Sequence, residues 1–236
     1  DYFDRVQIFD SYASRPGKGI HAALARANQF SKPGVWFLKL DVRKFFEQIH
    51  HTVLKAQLRN MFKEQPLLDI FDQIIDSYQT IPGRGLPIGN LTSQYFANHY
   101  LTGLDHFIKE TLHCRYYVRY MDDLVIWHRN KTFLKEKYRI IQQYVKSELH
   151  CELKPPVLNA VDRGLPFLGY RIFPHHIRLT QRSKRRYLHK MAFIDYCYEN
   201  GLLTGAEAQR RALSLIAFTR HADALAFRKM VNPLVS

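Results

Sequence analysis

Cysteine is scarce: the chain has three, Cys114, Cys151 and Cys197, odd in number and far apart. That pattern excludes a disulfide framework and a clustered zinc site, and it makes a reducing cytosol the expected compartment. No apolar run approaches the length of a membrane span and no secretory signal is recognisable, so no membrane partner is expected. Internal repeats and low-complexity segments are also missing. Acidic residues are the other shortage, 21 Asp and Glu against 35 Lys and Arg, for a net charge of +14. Such an excess gives solubility, and it also favours a polyanionic partner whose binding weakens steeply with salt. The 236 residues are enough for one large domain or two small ones around a sizeable core.

Because acids are few, their placement is informative. Arg119-Tyr120-Met121-Asp122-Asp123-Leu124-Val125-Ile126 puts two adjacent carboxylates between two β-prone runs, residues 114–120 and 124–127. Locally this predicts a tight hairpin with acids at its tip, and Asp is common in turns simply because its side chain bonds nearby amides. A third acid, Asp41, ends an apolar, β-branched run over residues 35–42 that reads as a mostly buried strand. An ionised Asp there is costly unless a cation pairs with it. Asp122 and Asp123 would add to that cost unless a divalent ion collected all three. Carboxylates are the hard oxygen ligands Mg²⁺ prefers, and two such ions activate an attacking oxygen and stabilise a leaving one in phosphoryl transfer. The three acids therefore suggest nucleotidyl transfer.

Four motifs in order carry a family resemblance over roughly residues 11–177. Tyr120-Met121-Asp122-Asp123 resembles the signature of reverse transcriptases. Asp41 followed by Phe45-Phe46 resembles their first catalytic motif, and Leu86-Pro87-Ile88-Gly89-Asn90-Leu91-Thr92-Ser93-Gln94 the motif between the two. Phe167-Leu168-Gly169-Tyr170-Arg171-Ile172 resembles the primer-grip hairpin. The form Gly89-Asn90-Leu91-Thr92-Ser93-Gln94 is most similar to enzymes of diversity-generating retroelements, which are related to those of retrons and group II introns. The resemblance implies an α+β right-hand polymerase fold with an antiparallel palm sheet. It divides the chain into partial fingers (1–34), a palm with inserted finger helices (35–164), a primer-grip hairpin (165–180) and a short helical thumb (181–236). Relatives usually have more chain ahead of a start such as Asp1, so a preceding finger segment is expected.

The resemblance also assigns roles. Asp41, Asp122 and Asp123 become the catalytic acids, with Asp41, Asp122 and the Val42 position holding two Mg²⁺ ions, Mn²⁺ substituting, and Asp123 a ligand or an aid by charge or by shaping the turn. Arg43, Phe46, Ile88 and Gly89 would meet the incoming dNTP. Phe46 would lie under the sugar and exclude a 2′-hydroxyl, whereas Phe45 is core. Many relatives carry Gln where this chain has Ile88, which suggests error-prone synthesis. Arg15 and Lys18, in an Arg-Pro-Gly-Lys-Gly loop that is otherwise an ordinary turn, become contacts to template or nucleotide, Ser93 and Gln94 contacts to template or primer, and Tyr120 and Met121 the floor beneath the primer end. The apolar hairpin with Phe167, Leu168, Gly169 and Tyr170 would pack on the catalytic sheet while its backbone holds the primer end, and Lys184 and Arg185 would meet the duplex phosphates. Lys154 is either a surface lysine beside Pro155-Pro156 or the general acid that protonates pyrophosphate. His50 and His51 read as surface or helix-capping residues. Implied partners are a template RNA, an RNA–DNA hybrid, dNTPs and, in the retroelement setting, a small basic accessory protein. Other palm polymerases, templated or not, and a catalytically silent RNA-binding scaffold remain open.

Helical periodicity predicts helices over 20–29, 52–62, 66–78, 93 onward, 131–150, 187–200, 204–215 and 216–231.

Overall fold

The computed structural model describes residues 2–231, and the chain divides into two compact units, 1–160 and 161 onward. The first unit opens with a one-turn helix α1 (Tyr2–Arg5) and α2 (Ile20–Ser31), then enters β1 (Trp36–Asp41). Two aromatics start α3 (Phe45–Gln48), followed by α4 (His51–Met61) and α5 (Gln65–Asp76). A Pro/Gly loop leads to α6 (Leu91–Tyr100) and α7 (Thr102–His106). The hairpin β2 (Tyr116–Tyr120) and β3 (Asp123–His128), the long α8 (Lys131–Ser147) and β4 (Val157–Ala160) complete the unit.

The sheet is antiparallel with order β2-β3-β1-β4, so β1 lies inside it between β3 and β4. Leu38 and Leu40 of β1, with Leu124 and Ile126 of β3, turn one face into a core shared with the helices. The apolar stripe expected on the helix after residue 93 is there: Phe96, Ala97, Tyr100, Leu101, Leu104 and Ile108 are fully buried. It is not one helix, however. The chain re-aims at Leu101, and a wide turn over Phe107–Thr111 closes with Leu112 N–H donating to the Phe107 carbonyl at 2.9 Å. Apolar periodicity survives such a change of winding, so the pattern could not reveal it. Similarly, α8 stops at Ser147, three residues early, and His150 takes a left-handed φ of 49°.

The second unit holds a three-stranded antiparallel sheet, β5 (Leu165–Phe167), β6 (Tyr170–Ile172) and β7 (Ile177–Leu179), and the helices α9 (Gln181–Glu199), α10 (Gly205–Arg220) and α11 (Leu225–Val231). The hairpin expected over 165–180 has three strands, the first two separated by a turn at Leu168-Gly169, where φ is 50° and 88°. The basic run at 181–186 is itself helical, because Thr180 caps α9 by accepting from Ser183 N–H. The boundary expected between 215 and 216 is absent: no breaker lies there, and α10 runs on to Arg220. The chain turns instead where Asp223 pairs its backbone and carboxylate with Ile177 of β7.

Candidate active site

Three constraints of the sheet assemble the acids. Asp41 ends β1 directly opposite Asp123, the first residue of β3, and Tyr120 faces Asp123 from β2. That leaves Met121 and Asp122 as the turn, with Met121 at φ 52°. Val42 N–H then donates to the Asp122 carbonyl at 3.4 Å, fastening the turn to the end of β1. On the other side of β1, residues 152–154 run alongside: Arg43 N–H donates to the Glu152 carbonyl and Lys154 N–H to the Asp41 carbonyl, both at 2.8 Å.

The electrostatics are uneven. Lys154 Nζ lies 2.6 Å from Asp41 Oδ1, and Lys39 Nζ lies 2.8 Å from Asp123 Oδ1. Both oxygens are shut off from solvent, and neither has an aligned hydrogen-bond donor. Asp122 has no such cation. Burial pushes its carboxyl above the usual range, and the charges of Asp41 and Asp123 push it further. Conversely, the Asp41 carboxylate holds the Lys154 amine above its ordinary value. Among the described residues no three His, Cys, Asp or Glu side chains are already gathered around a point that could hold a metal. The residues nonetheless fit a divalent cation: Asp122 has no cation paired with it, and burial together with the charges of Asp41 and Asp123 raises its carboxyl, so a positive charge bound beside it would be favoured. Asp41 and Asp122 would hold it, with Asp123 committed to Lys39.

The other expected contacts divide. Phe45 is core and meets Phe46 edge-on at 5.8 Å. Phe46 is half-buried, and its carbonyl accepts from Leu86 N–H at 2.8 Å, tying the loop that bears Ile88 and Gly89 to the Asp41 motif. Ile88 is 78% exposed and Gly89 has φ 97°. Arg43 is exposed, 3.9 Å from Glu152. Tyr120 and Met121 are half-buried beside the acids, and Gln94 is half-buried and accepts from Ser14 Oγ.

Several expectations are corrected. Arg15 is no free hand: its guanidinium is buried against Asp4 and donates to the Ile8 and Ser11 carbonyls, so it locks the loop. Lys18 donates to the Phe9 carbonyl and lies over the Phe9 ring at 3.5 Å. Ser93 is fully buried on the inner face of α6 and out of reach of a template. Phe167 and Tyr170 need no such correction: their side chains are core, the Tyr170 hydroxyl donating to the Phe218 carbonyl, and Leu168 and Gly169, at the turn, come near the surface. His51 is buried, with Nε2 2.8 Å from the Gly85 carbonyl, rather than a surface residue. In the second unit Arg185 is exposed, while Lys184 lies over Phe227 and lines a groove of about 760 Å³ with Arg171 and Arg178. Sequence reasoning missed Lys39, whose alternation with Asp41 on one face of β1 was the available signal, and the buried Arg119.

An antiparallel sheet whose inner strand delivers one acid beside a hairpin bearing two more is the palm of a right-hand polymerase. Solved telomerases have this fold. That of Candida tropicalis in its apo form aligns with a TM-score of 0.61 at 12% identity, over 98% of this chain and 50% of that one. That of Candida albicans, in complex with a fragment of telomeric RNA, aligns at 0.57 and 11%, over 99% and 46%. The chain belongs to the reverse transcriptase (RNA-dependent DNA polymerase) family, whose model matches residues 4–172. It is 30% identical over 105 residues to an uncharacterized 91 kDa protein in the cob intron of Schizosaccharomyces pombe, and 24% identical over 115 residues to a putative COX1/OXI3 intron 1 protein of Saccharomyces cerevisiae. Those matches take in 42% and 46% of this chain but only 13% and 14% of the relatives' lengths. No helix among the described residues is long and apolar enough to cross a membrane.

Proposed function

We propose that this chain carries the catalytic palm of an RNA-directed DNA polymerase, extending a primer on a retroelement RNA template by nucleotidyl transfer from dNTPs. The observation that supports it most is the register pairing of Asp41 with Asp123 beside the Asp122 turn, with buried carboxylate oxygens that lack aligned donors. A divalent cation, Mg²⁺ or in its place Mn²⁺, supplies activation of the primer 3′-hydroxyl and charge stabilisation at the α-phosphate. Asp41 and Asp122 hold that charge, and Asp123 shapes the turn through its pairing with Lys39. Phe46, half-buried and tied through its carbonyl to the loop bearing Ile88, would lie under the sugar and exclude a 2′-hydroxyl. The amine of Lys154 stands beside Asp41 with a proton for the departing pyrophosphate. The net charge of +14 supplies phosphate grip without reading sequence.

The test is primer extension with Mg²⁺ on RNA and on DNA templates, comparing the parent with Asp122→Asn. RNA-templated synthesis lost in the variant is expected; equal activity in both, or template-independent addition, defeats the reading. A scaffold without catalysis would bind RNA equally with and without divalent ions. The named relatives are intron proteins, which supports a mobile-intron setting. A diversity-generating setting, with a small basic accessory protein, is favoured by one feature: Ile88 presents an exposed aliphatic side chain where polar contacts to the nucleotide would be made. Ile88→Gln should lower the error rate of the cDNA, and an unchanged rate would remove that second reading.

A further inference from the structure

Arg119 lies two residues before the turn that carries Asp122. It and Asp105 of α7 are both fully buried. Its five N–H groups are all engaged. Nε donates to both Asp105 oxygens at 2.8 and 2.9 Å, and Nη2 donates to Asp105 Oδ2 at 2.6 Å and to the Asn98 carbonyl at 3.2 Å. Nη1 donates to Asn98 Oδ1 at 2.7 Å and to the Met121 carbonyl at 3.2 Å. The last contact reaches forward along the chain, from inside the strand to the turn residue immediately before Asp122.

The anchors are themselves fixed. Tyr117 Oη donates to Asp105 Oδ1 at 2.6 Å, and Asn98 Nδ2 donates to Gln7 Oε1 and the Ala13 carbonyl at 3.0 and 2.8 Å. Asn98 lies on α6, the helix whose first turns carry Gln94. Two helices and the amino-terminal loop therefore fasten, through one guanidinium, the peptide that aims Asp122.

Stability alone does not call for this arrangement. A buried ion pair replaced by apolar groups of similar volume is often neutral or stabilising, because desolvation offsets the attraction. What an apolar replacement does lose are the donors to the Asn98 side-chain and backbone oxygens and, at the turn itself, the donor to the Met121 carbonyl. We propose that Arg119, held by Asp105 and Asn98, is a positioning residue that sets the Met121-Asp122 turn and thereby the direction of the Asp122 carboxylate. The inference rests on the polymerase reading, in which Asp122 holds the divalent ion.

The test uses the full chain carrying Arg119→Met, Asp105→Leu and Tyr117→Phe together, so that no charge or hydroxyl of the cluster is left without its partner. Arg119→Lys serves as a second variant that keeps the charge opposite Asp105 while losing the fork that reaches Met121. Melting temperature, Mn²⁺ affinity by electron paramagnetic resonance, and the kcat and KM of primer extension are measured for each. Removal of outer-shell support typically costs about 10- to 100-fold in metal affinity or activity. A loss of that size in Mn²⁺ affinity and kcat, with KM for primer–template unchanged and the triple variant melting near the parent, is expected. Should the triple variant not fold, Arg119→Lys must still show the loss. Either folded variant binding Mn²⁺ and turning over like the parent overturns the inference while leaving the polymerase reading intact. A parent that neither binds Mn²⁺ nor extends a primer sinks the reading, and the inference with it.

Discussion

Replacing Lys154 separates two effects of opposite sign. Its backbone N–H donates to the Asp41 carbonyl at 2.8 Å, so residues 152–154 stay docked on β1 whatever side chain stands there. Its amine is 2.6 Å from Asp41 Oδ1, with side chains 50% and 28% exposed. A pair this open is worth about 0.2–1 kcal/mol. A divalent ion that must displace the amine should therefore bind roughly 1.4- to 5-fold more tightly to Lys154→Met. Chemistry should move the other way, because loss of a positioned proton donor costs about 10²- to 10⁴-fold. The pH profile adds a third arm. In the parent the Asp41 carboxylate holds the amine above its ordinary value, so it stays protonated through neutral pH and adds no descending limb there. Lys154→His should lose rate as pH rises through about 6.5, with protonated fractions of roughly 0.76 at pH 6 and 0.03 at pH 8, a fall of about 25-fold. Mn²⁺ titration and single-turnover primer extension at both pH values measure all three. Unchanged turnover in Lys154→Met together with a flat profile in Lys154→His would make Lys154 a surface lysine and refute the assignment.

The remaining expectations concern stability and reactivity. Because burial, Asp41 and Asp123 raise the Asp122 carboxyl in the fold, its contribution is fully present below its unfolded value of about 3.9 and is lost as pH rises through the folded one. Metal-free Asp122→Asn should therefore melt higher than the parent at pH 7 and lack that slope. A divalent ion at a hundred times its dissociation constant should raise the parent by about 2.7 kcal/mol, roughly 5–10 °C, and the variant hardly at all; equal responses would contradict the assignment of Asp122 to the ion. Burial pushes the Cys114 thiol up to about 11 and that of Cys151 to about 12. With only about one thiolate in a thousand at pH 8 for a pKa of 11, iodoacetamide should label both far more slowly in the native chain than in urea, and mass spectrometry would expose rapid native labelling. At Gly164, φ is 76° and an added Cβ would stand 2.7 Å from Arg171 Cγ and from the Phe173 ring. Gly164→Ala should cost about 1–3 kcal/mol, and an unaltered denaturant midpoint for the second unit would count against that packing.

What the sequence made legible was whatever a local period or a spaced motif encodes. The alternation around Asp41 and the two short runs flanking Asp122-Asp123 specify strands, and the structure pairs them Asp41 to Asp123. The stripe from Phe96 to Ile108 marks core residues correctly although it conceals two changes of winding, since burial depends on facing and winding on hydrogen bonding. Cations were the opposite case. Arg15 and Arg119 look alike in a sequence, as basic residues beside turns or strands. Only the fold shows that their charges are absorbed internally, by Asp4 and by Asp105 from far along the chain. Net charge therefore overstates what the surface offers a phosphate backbone. Phe167 and Tyr170 differ from those cations: an apolar hairpin is expected to pack its rings inward, and both rings do, leaving the tip to Leu168 and Gly169.

The two lysines at the acids explain how a fold tolerates three carboxylates in one place before any ion arrives. Lys39 and Asp123 are both about one-fifth exposed, 19% and 22%, and lie diagonally across the β1–β3 pairing, which keeps their backbones within reach of each other. Lys154 is far more open at 50%, and it lies on an irregular segment held by backbone bonds to β1 and by Glu152 N–H donating to Gln48 Oε1. The first pair is thus a fixed counter-charge, whereas the second can be exchanged at a cost of about 1 kcal/mol or less. Asp122, with no cation of its own, is the carboxyl with the most to gain from a positive charge. On the proposed reading, Asp41 and Asp122 would share the ion and Asp123 would stay with the turn, a division that follows from the placement of lysines rather than of further acids.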